Sequence, residues 1–176
     1  QDYNTAIALR QGGLIKAWYK GNKASEVTMT FSKIEKIETV VVFTSSEEPG
    51  SGNSAKNLVD GNPSTIWHTM YSVTVAQYPH WVDFDSGEAK NIKGFSYMPR
   101  QDGGINGDIK TYAIHVSLDG KNWGKPLHEG HFSKDKNEKR VLFDTPVKAR
   151  YIRFTGLSSQ NGQDFAGGAE FSVLAD

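Results

Sequence analysis

The chain has 176 residues, 20 basic and 20 acidic side chains that cancel, and no cysteine. A net charge of zero gives no global field to draw it to nucleic acid or to an anionic membrane, and without thiols neither a disulfide framework nor a cysteine-based zinc site can form. The length suits one large domain, or one domain with a substantial extension, and 37% hydrophobic residues with seven Tyr, nine Phe and four Trp are enough for a β-rich core. Its longest apolar run, Val40-Val41-Val42-Phe43, is far short of a membrane span, so no membrane insertion is expected. Beginning at Gln1 without a methionine, the sequence fits a cleaved precursor or an excerpt of a longer protein, and it shows no signal peptide.

Helical periodicity is scarce, and short apolar runs broken by Gly, Asn, Asp and Pro recur about every ten residues, the rhythm of an all-β antiparallel sandwich. Leu14-Ile15-Lys16-Ala17-Trp18-Tyr19, a turn at Gly21-Asn22, and Val27, Met29 and Phe31 alternating with Glu26, Thr28 and Thr30 predict a β-hairpin within residues 1–38. Those residues are the tail of a preceding β domain, the preferred reading, or extra strands of the sandwich. Lys33-Ile34-Glu35-Lys36-Ile37-Glu38 then serves as a connector, although its apolar spacing also allows a short helical turn. Residues 39–176 make the module itself. Strands are predicted at Val40–Thr44, Trp81–Phe84, Gly94–Met98, Ala113–Leu118, Lys139–Phe143, Arg150–Thr155 and Ala169–Leu174. Asp119-Gly120 followed by Lys-Asn-Trp reads as a hairpin tip with Trp123 returning to the core. Residues 45–57 and 158–168 are polar, glycine-rich loops, where function is usually carried.

Between the first two strands of the module, the stretch from Asn57 to His68 crowds oxygen donors into a tight turn. Gly61 permits backbone angles other residues resist, and Pro63 fixes its own φ. Asp60, Asn62 and Thr65 would then point oxygens inward, and such hard donors suit Ca²⁺. Taken alone, Asp-Gly-Asn-Pro is more often a solvated turn. An EF-hand fails on spacing, since counting from Asp60 puts Thr65 where the invariant Gly belongs and Tyr71 where the bidentate Glu belongs.

Together with Trp81-Val82-Asp83-Phe84-Asp85, Val116-Ser117-Leu118-Asp119-Gly120-Lys121-Asn122-Trp123, Ala149-Arg150-Tyr151-Ile152-Arg153-Phe154 and Gly168-Ala169-Glu170-Phe171, this stretch resembles a coagulation-factor type C (discoidin-like) domain. More narrowly, the chain is similar to the family 32 carbohydrate-binding modules of bacterial glycoside hydrolases, from roughly residue 40 to the end. The resemblance implies a jelly-roll, galactose-binding-like sandwich without catalytic activity, bearing a structural Ca²⁺. The ion would be held by the Asn57 carbonyl, by Asp60, Asn62 and Thr65, and by Ala169 and Glu170. It also implies a ligand site at His68, Arg100 and Asn106, with Phe165 as the stacking ring unless that ring simply covers the core edge. Tyr71 joins Tyr78 and His80 as aromatic groups for the same rim, and Glu47 and Glu48 are further candidates.

Arg100 opens the loop Gln101 to Asp108 and, without the resemblance, reads as a surface arginine of a hairpin. In the family such a trio commonly reads a galactose-type sugar, and N-acetylhexosamines are also bound. The expected partners are such a glycan and the catalytic domain of a parent glycosidase of the chitobiase or hexosaminidase kind. The chain is expected to be a monomer in an extracellular, periplasmic or cell-surface setting. Ser86-Gly87 departs from the Leu-Gly of many members and should loosen that strand end. The alternative function is an adhesion-type module binding a protein or lipid, a use that needs basic collars and apolar spikes and usually comes with a disulfide.

Other constellations read as structural. His128 and His131 lack a third ligand nearby, and Gly103-Gly104-Ile105-Asn106-Gly107 lacks the Gly-Lys-Ser/Thr ending of a phosphate loop. Asp83 and Asp85 share one strand face, whereas glycoside hydrolysis needs opposed carboxyls with a sugar between them. Lys134 to Arg140, of mixed sign, reads as a solvated hairpin.

Overall fold

The computed structural model describes residues 12–176; the first eleven residues of the expected N-terminal extension lie outside the described residues. Alternation builds the first element. β1 (Gly13–Tyr19) and β2 (Asn22–Phe31) pair antiparallel across the turn at Gly21, where φ is +80°. The register sets Ile15 opposite Met29 and Ala17 opposite Val27 on one face, while Lys16 pairs with Glu26 at 2.8 Å on the other. The apolar face is open, with Val27 64% and Met29 56% exposed.

The expected connector holds a short strand instead. β3 (Glu35–Ile37) adds to the edge of β11 (Glu170–Ala175), with Ile37 opposite Val173 and Glu35 opposite Ala175. Ile34 and Ile37 have a helical spacing, but a free sheet edge offering backbone partners outweighs that weak local preference.

The remaining strands are β4 (Val40–Thr44), β5 (Trp67–His68), β6 (His80–Met98), β7 (Ile109–Ser117), β8 (His128–His131), β9 (Lys139–Ser159) and β10 (Gly167–Gly168). Two predicted pairs of strands merge, one pair into β6 and the other into β9. Register shifts between Asp85 and Lys90 and between Ile92 and Gly94 bend β6, so a single strand serves both layers of a sandwich. Its first half pairs with β4 and with the second half of β9, which continues into β7 and β8; its second half pairs with β11 and the first half of β9. The bend is tied by Arg150, whose Nε and Nη2 donate to the Asp85 carboxylate at 2.7 and 2.8 Å. Ser86 was expected to loosen this point. Its hydroxyl instead donates to the Arg150 and Glu88 carbonyls at 2.8 and 2.9 Å, a cross-link that leucine could not make.

Aromatic rings fill the space between the layers. Phe84 and Phe171 stack at 4.5 Å, Phe154 and Phe171 at 4.9 Å, and Tyr97 and Phe132 at 5.1 Å. Each such ring contributes about 1.5–3 kcal/mol by leaving water.

Trp123 does not join them. β7 ends at Ser117 and β8 begins at His128, so Asp119-Gly120 sits in a longer loop in which the Asp119 carboxylate accepts from the N–H groups of Lys121 and Asn122, each at 2.9 Å. Trp123 stays half-buried on the outer face, where the Arg153 guanidinium lies 4.3 Å from its ring centre and 5.3 Å from that of Trp81. Arg153 is held flat by Asp83 at 2.6 and 2.8 Å and so offers a planar cation to both indoles. Asp83 and Asp85 are thus each paired with an arginine.

Candidate functional site

The site grows from the small ladder between β5 and β10, which joins His68 to Gly167 and Trp67 to Gly168. Both glycines are required by close approach. A Cβ on Gly167 would lie 2.6 Å from the Trp67 carbonyl oxygen, and one on Gly168 would lie 2.5 Å from the Tyr97 ring. Trp67 anchors the ladder from the core, donating its indole N–H to the Ser46 carbonyl at 3.0 Å.

His68 is buried, and its Nδ1 lies 2.7 Å from the Thr69 carbonyl oxygen. A carbonyl only accepts, so Nδ1 carries the proton and Nε2 is left as an acceptor. Burial lowers the imidazole below the ordinary histidine range, against the Thr69 hydrogen bond, and the nearby Arg100 charge lowers it further. The ring is therefore neutral at pH 7. Tyr71 meets it edge-on at 5.1 Å and Phe165 lies tilted at 5.3 Å.

Each flanking ring is braced from behind. The buried Glu48 accepts from the backbone N–H groups of Tyr71 and Ser72 at 2.8 and 3.0 Å and from the Ser72 hydroxyl. Glu47 accepts from Ala55 N–H and from Ser54, at 2.8 and 3.1 Å. Both glutamates therefore hold backbone. Tyr78 and His80, considered for the rim, lie behind it: the Tyr78 hydroxyl donates to the Phe165 carbonyl, and His80 Nε2 donates to the Asp164 carbonyl at 3.0 Å. They fix the loop that carries Phe165.

Arg100 is clamped within its own loop. Nε and Nη2 donate to Asp102 Oδ1 and Oδ2 at 2.7 and 2.5 Å, and Nη1 donates to the Asn106 carbonyl at 3.0 Å. The bond to Arg100 holds the Asp102 carboxyl down at about 2. Gly104 lets the guanidinium lie against the backbone, since a Cβ there would be 2.7 Å from both Cζ and Nε. Asn106 Oδ1 accepts from Asn161 Nδ2 at 2.7 Å, leaving the Asn106 amide nitrogen to donate outward. The charge on Arg100 acts on both His68 and Tyr71, so the five expected residues His68, Tyr71, Arg100, Asn106 and Phe165 form one cluster. Two donors and one acceptor beside aromatic rings suit a neutral polyhydroxylated ring. Sequence reasoning passed over Asp102 and Asn161. Asp102, two residues after Arg100 and just before Gly103-Gly104, carried a local turn signal, as did Asn161 before Gly162, but nothing local tied Asn161 to Asn106.

A second cluster lies under the turn. A short 3₁₀ segment, Ala55–Val59, is capped by Ser54, and the Asn57 amide donates to the Gly52 and Ile66 carbonyls at 2.7 and 2.8 Å. Asp60 accepts from Asn62 N–H at 2.8 Å and from the Thr65 hydroxyl at 2.7 Å, and Asn62 Oδ1 accepts from Ser64 N–H at 3.1 Å. The Ala169 N–H donates to the Met98 carbonyl at 2.8 Å, which sets Glu170 near Asp60. Glu170 Oε1 is buried with no hydrogen-bond partner among the described residues. Burial, and then the negative charge of Asp60, push its carboxyl up to about 7. An unpartnered buried carboxylate oxygen beside a second carboxylate is unfavourable unless a cation joins them. The donor set of two carboxylates and several neutral oxygens therefore fits Ca²⁺.

A family model for the F5/8 type C domain matches residues 42–171. The chain is 36% identical over 156 residues to a sialidase of Micromonospora viridifaciens, a match covering 87% of this chain and 24% of the sialidase. The chain thus spans about a quarter of that relative's length. Among solved structures, it is similar to a family 32 carbohydrate-binding module of a Clostridium perfringens family 89 enzyme in complex with GalNAc-β-1,3-galactose, at 34% identity and a TM-score of 0.69, covering 77% of this chain and 94% of that one. It is also similar to the family 32 module of Clostridium perfringens NanJ in complex with galactose, at 28% identity and a TM-score of 0.65, covering 78% and 99%.

Proposed function

This chain belongs to the F5/8 type C domain family, alongside the family 32 carbohydrate-binding modules, and from that membership we propose that it is a non-catalytic module that tethers a larger glycosidase to glycans ending in galactose or N-acetylhexosamine. The parent is of the chitobiase kind and works outside the cell, in the periplasm or at the cell surface. One observation carries the reading: the neutral His68 ring, with Nε2 as its free acceptor, touches both the Tyr71 and Phe165 rings within the field of the clamped Arg100 fork. The sugar's apolar face lies on an aromatic ring, one hydroxyl donates to His68 Nε2, and adjacent hydroxyls accept from Arg100 and the Asn106 amide. A single site of this size gives a Kd of roughly micromolar to millimolar, about −8 to −4 kcal/mol. Calorimetric titration with methyl β-galactoside and with N-acetylgalactosamine tests it. Binding is expected to vanish in Arg100→Ala while the melting curve is kept, and undiminished binding in that variant would displace the site.

Ca²⁺ in this reading is structural, held by the Asn57 and Ala169 carbonyls with Asp60, Asn62, Thr65 and Glu170. Its charge would neutralise the two carboxylates and clamp residue 60 to residue 170 without touching the sugar. The hairpin is read as the tail of a preceding β domain. Its open apolar face supports this.

A further inference from the structure

The charges around the site constrain what kind of sugar enters it. Among the charges that act on His68 are Arg100, Glu48 and Asp102, one cation and two anions. Glu48 is buried and ionised, its carboxylate fixed by Tyr71, Ser72 and the Ser72 hydroxyl. Asp108, also buried, lies within the field of Arg100 and is paired with Lys136 Nζ at 2.5 Å. The cluster thus holds Arg100 and Lys136 against Glu48, Asp102 and Asp108. Arg100 itself has two of its three nitrogens on one carboxylate and the third on a carbonyl. The N–H bonds left over point away from Asp102, so the fork can donate to hydroxyls but brings no uncompensated positive charge to them.

We propose that Asp102 is a specificity-determining residue of this site: by clamping the Arg100 fork and cancelling its charge, it makes the site accept neutral pyranosides and reject sugars that carry a carboxylate. The inference rests on the sugar-binding reading above. A uronate or sialic acid placed against the fork meets the Asp102 carboxylate that clamps it, with the charge of Glu48 acting on the adjoining His68. Like-charge repulsion in a partly desolvated site amounts to at least about a tenfold loss of affinity. Asparagine at position 102 keeps one acceptor for the guanidinium while releasing its charge, so anionic sugars should gain even where neutral ones lose.

The test is calorimetric titration of the whole chain with methyl β-galactoside and with galacturonic acid at low salt, for wild type and Asp102→Asn, with Asp102→Ala as a second variant. Asp102 is partly exposed, so unchanged melting curves are expected. Wild type should favour the neutral sugar by about tenfold or more, and both variants should shift that ratio toward galacturonate by a similar factor, a shift that added salt reduces. A ratio unmoved by both variants, or wild type that prefers galacturonate, would overturn the assignment while leaving the sugar site standing. Failure of wild type to bind either sugar at millimolar concentration would remove the sugar site and this role of Asp102 together.

Discussion

The pairing of Glu170 with Asp60 gives the module an unusual response to pH, which calcium should reverse. In the folded chain the Glu170 carboxyl is pushed up to about 7, against an ordinary value of 4.5. A carboxyl raised by folding favours the folded state below its unfolded value, and that contribution is lost as pH rises through the folded value. In chelator, then, stability should fall between about pH 4.5 and pH 7. The interval corresponds to a ceiling of about 3 kcal/mol, and water screening of a partly exposed group brings it to about 1.5 kcal/mol. For a chain of this length that is about 4 °C in Tm. Thermal melts at pH 5 and pH 8, with excess chelator or millimolar Ca²⁺, read the effect directly. The chelated protein should melt about 4 °C lower at pH 8, and Ca²⁺ at a hundred times its Kd should add about 2.7 kcal/mol and abolish the decline. Glu170→Gln should lose the response to Ca²⁺ and the part of the decline that Glu170 contributes. Asp108, which burial also raises, adds a decline of the same sign, so the comparison of wild type with Glu170→Gln isolates the pair. A wild-type Tm that is flat or rising from pH 5 to pH 8 in chelator, or a Glu170→Gln protein still stabilised by Ca²⁺, would refute the reasoning.

Two further outcomes follow from the sugar site. Gly104→Ala places a methyl 2.7 Å from the Arg100 guanidinium carbon, so galactoside affinity should drop about tenfold, on the order of 1.4 kcal/mol, while Tm moves little; calorimetry beside a melt checks both. Because burial lowers the His68 pKa, galactoside affinity should be constant from pH 8 down through the ordinary histidine range. It should fail only at lower pH, as protonation turns the Nε2 acceptor into a donor, and titrations across that interval would expose an earlier loss.

Strand positions were legible where one face alternates, as at Gly94–Met98 and Arg150–Thr155. What was hidden is continuity: Ser86-Gly87 and Thr145-Pro146 look like breaks, yet β6 and β9 run through them because bulges and the Arg150–Asp85 pair absorb the bend. The hairpin tip at Asp119 misled for a related reason, since local turn chemistry fixes the turn but not where the next tryptophan goes, and an arginine on the neighbouring strand drew Trp123 outward. The five ligand candidates came from resemblance joined to residue chemistry, and the structure gathers them. Of their supports, Asp102 is local, two residues from Arg100, whereas Asn161, Glu48 and the Gly167-Gly168 close approach depend on contacts between segments far apart in the chain, which no local pattern records.

Pairing of Glu35 with Ala175 means that a unit cut at residues 35 and 175 would be entered and left side by side, at one end of β11. The cluster proposed as the sugar site lies beyond the opposite end of that strand, six residues or about 20 Å away. Such a unit can be spliced into a surface loop of another protein, or permuted so that new termini open elsewhere, without prising its layers apart. Once inserted, it would present its binding face outward like a hand on a short wrist, clear of the host's surface.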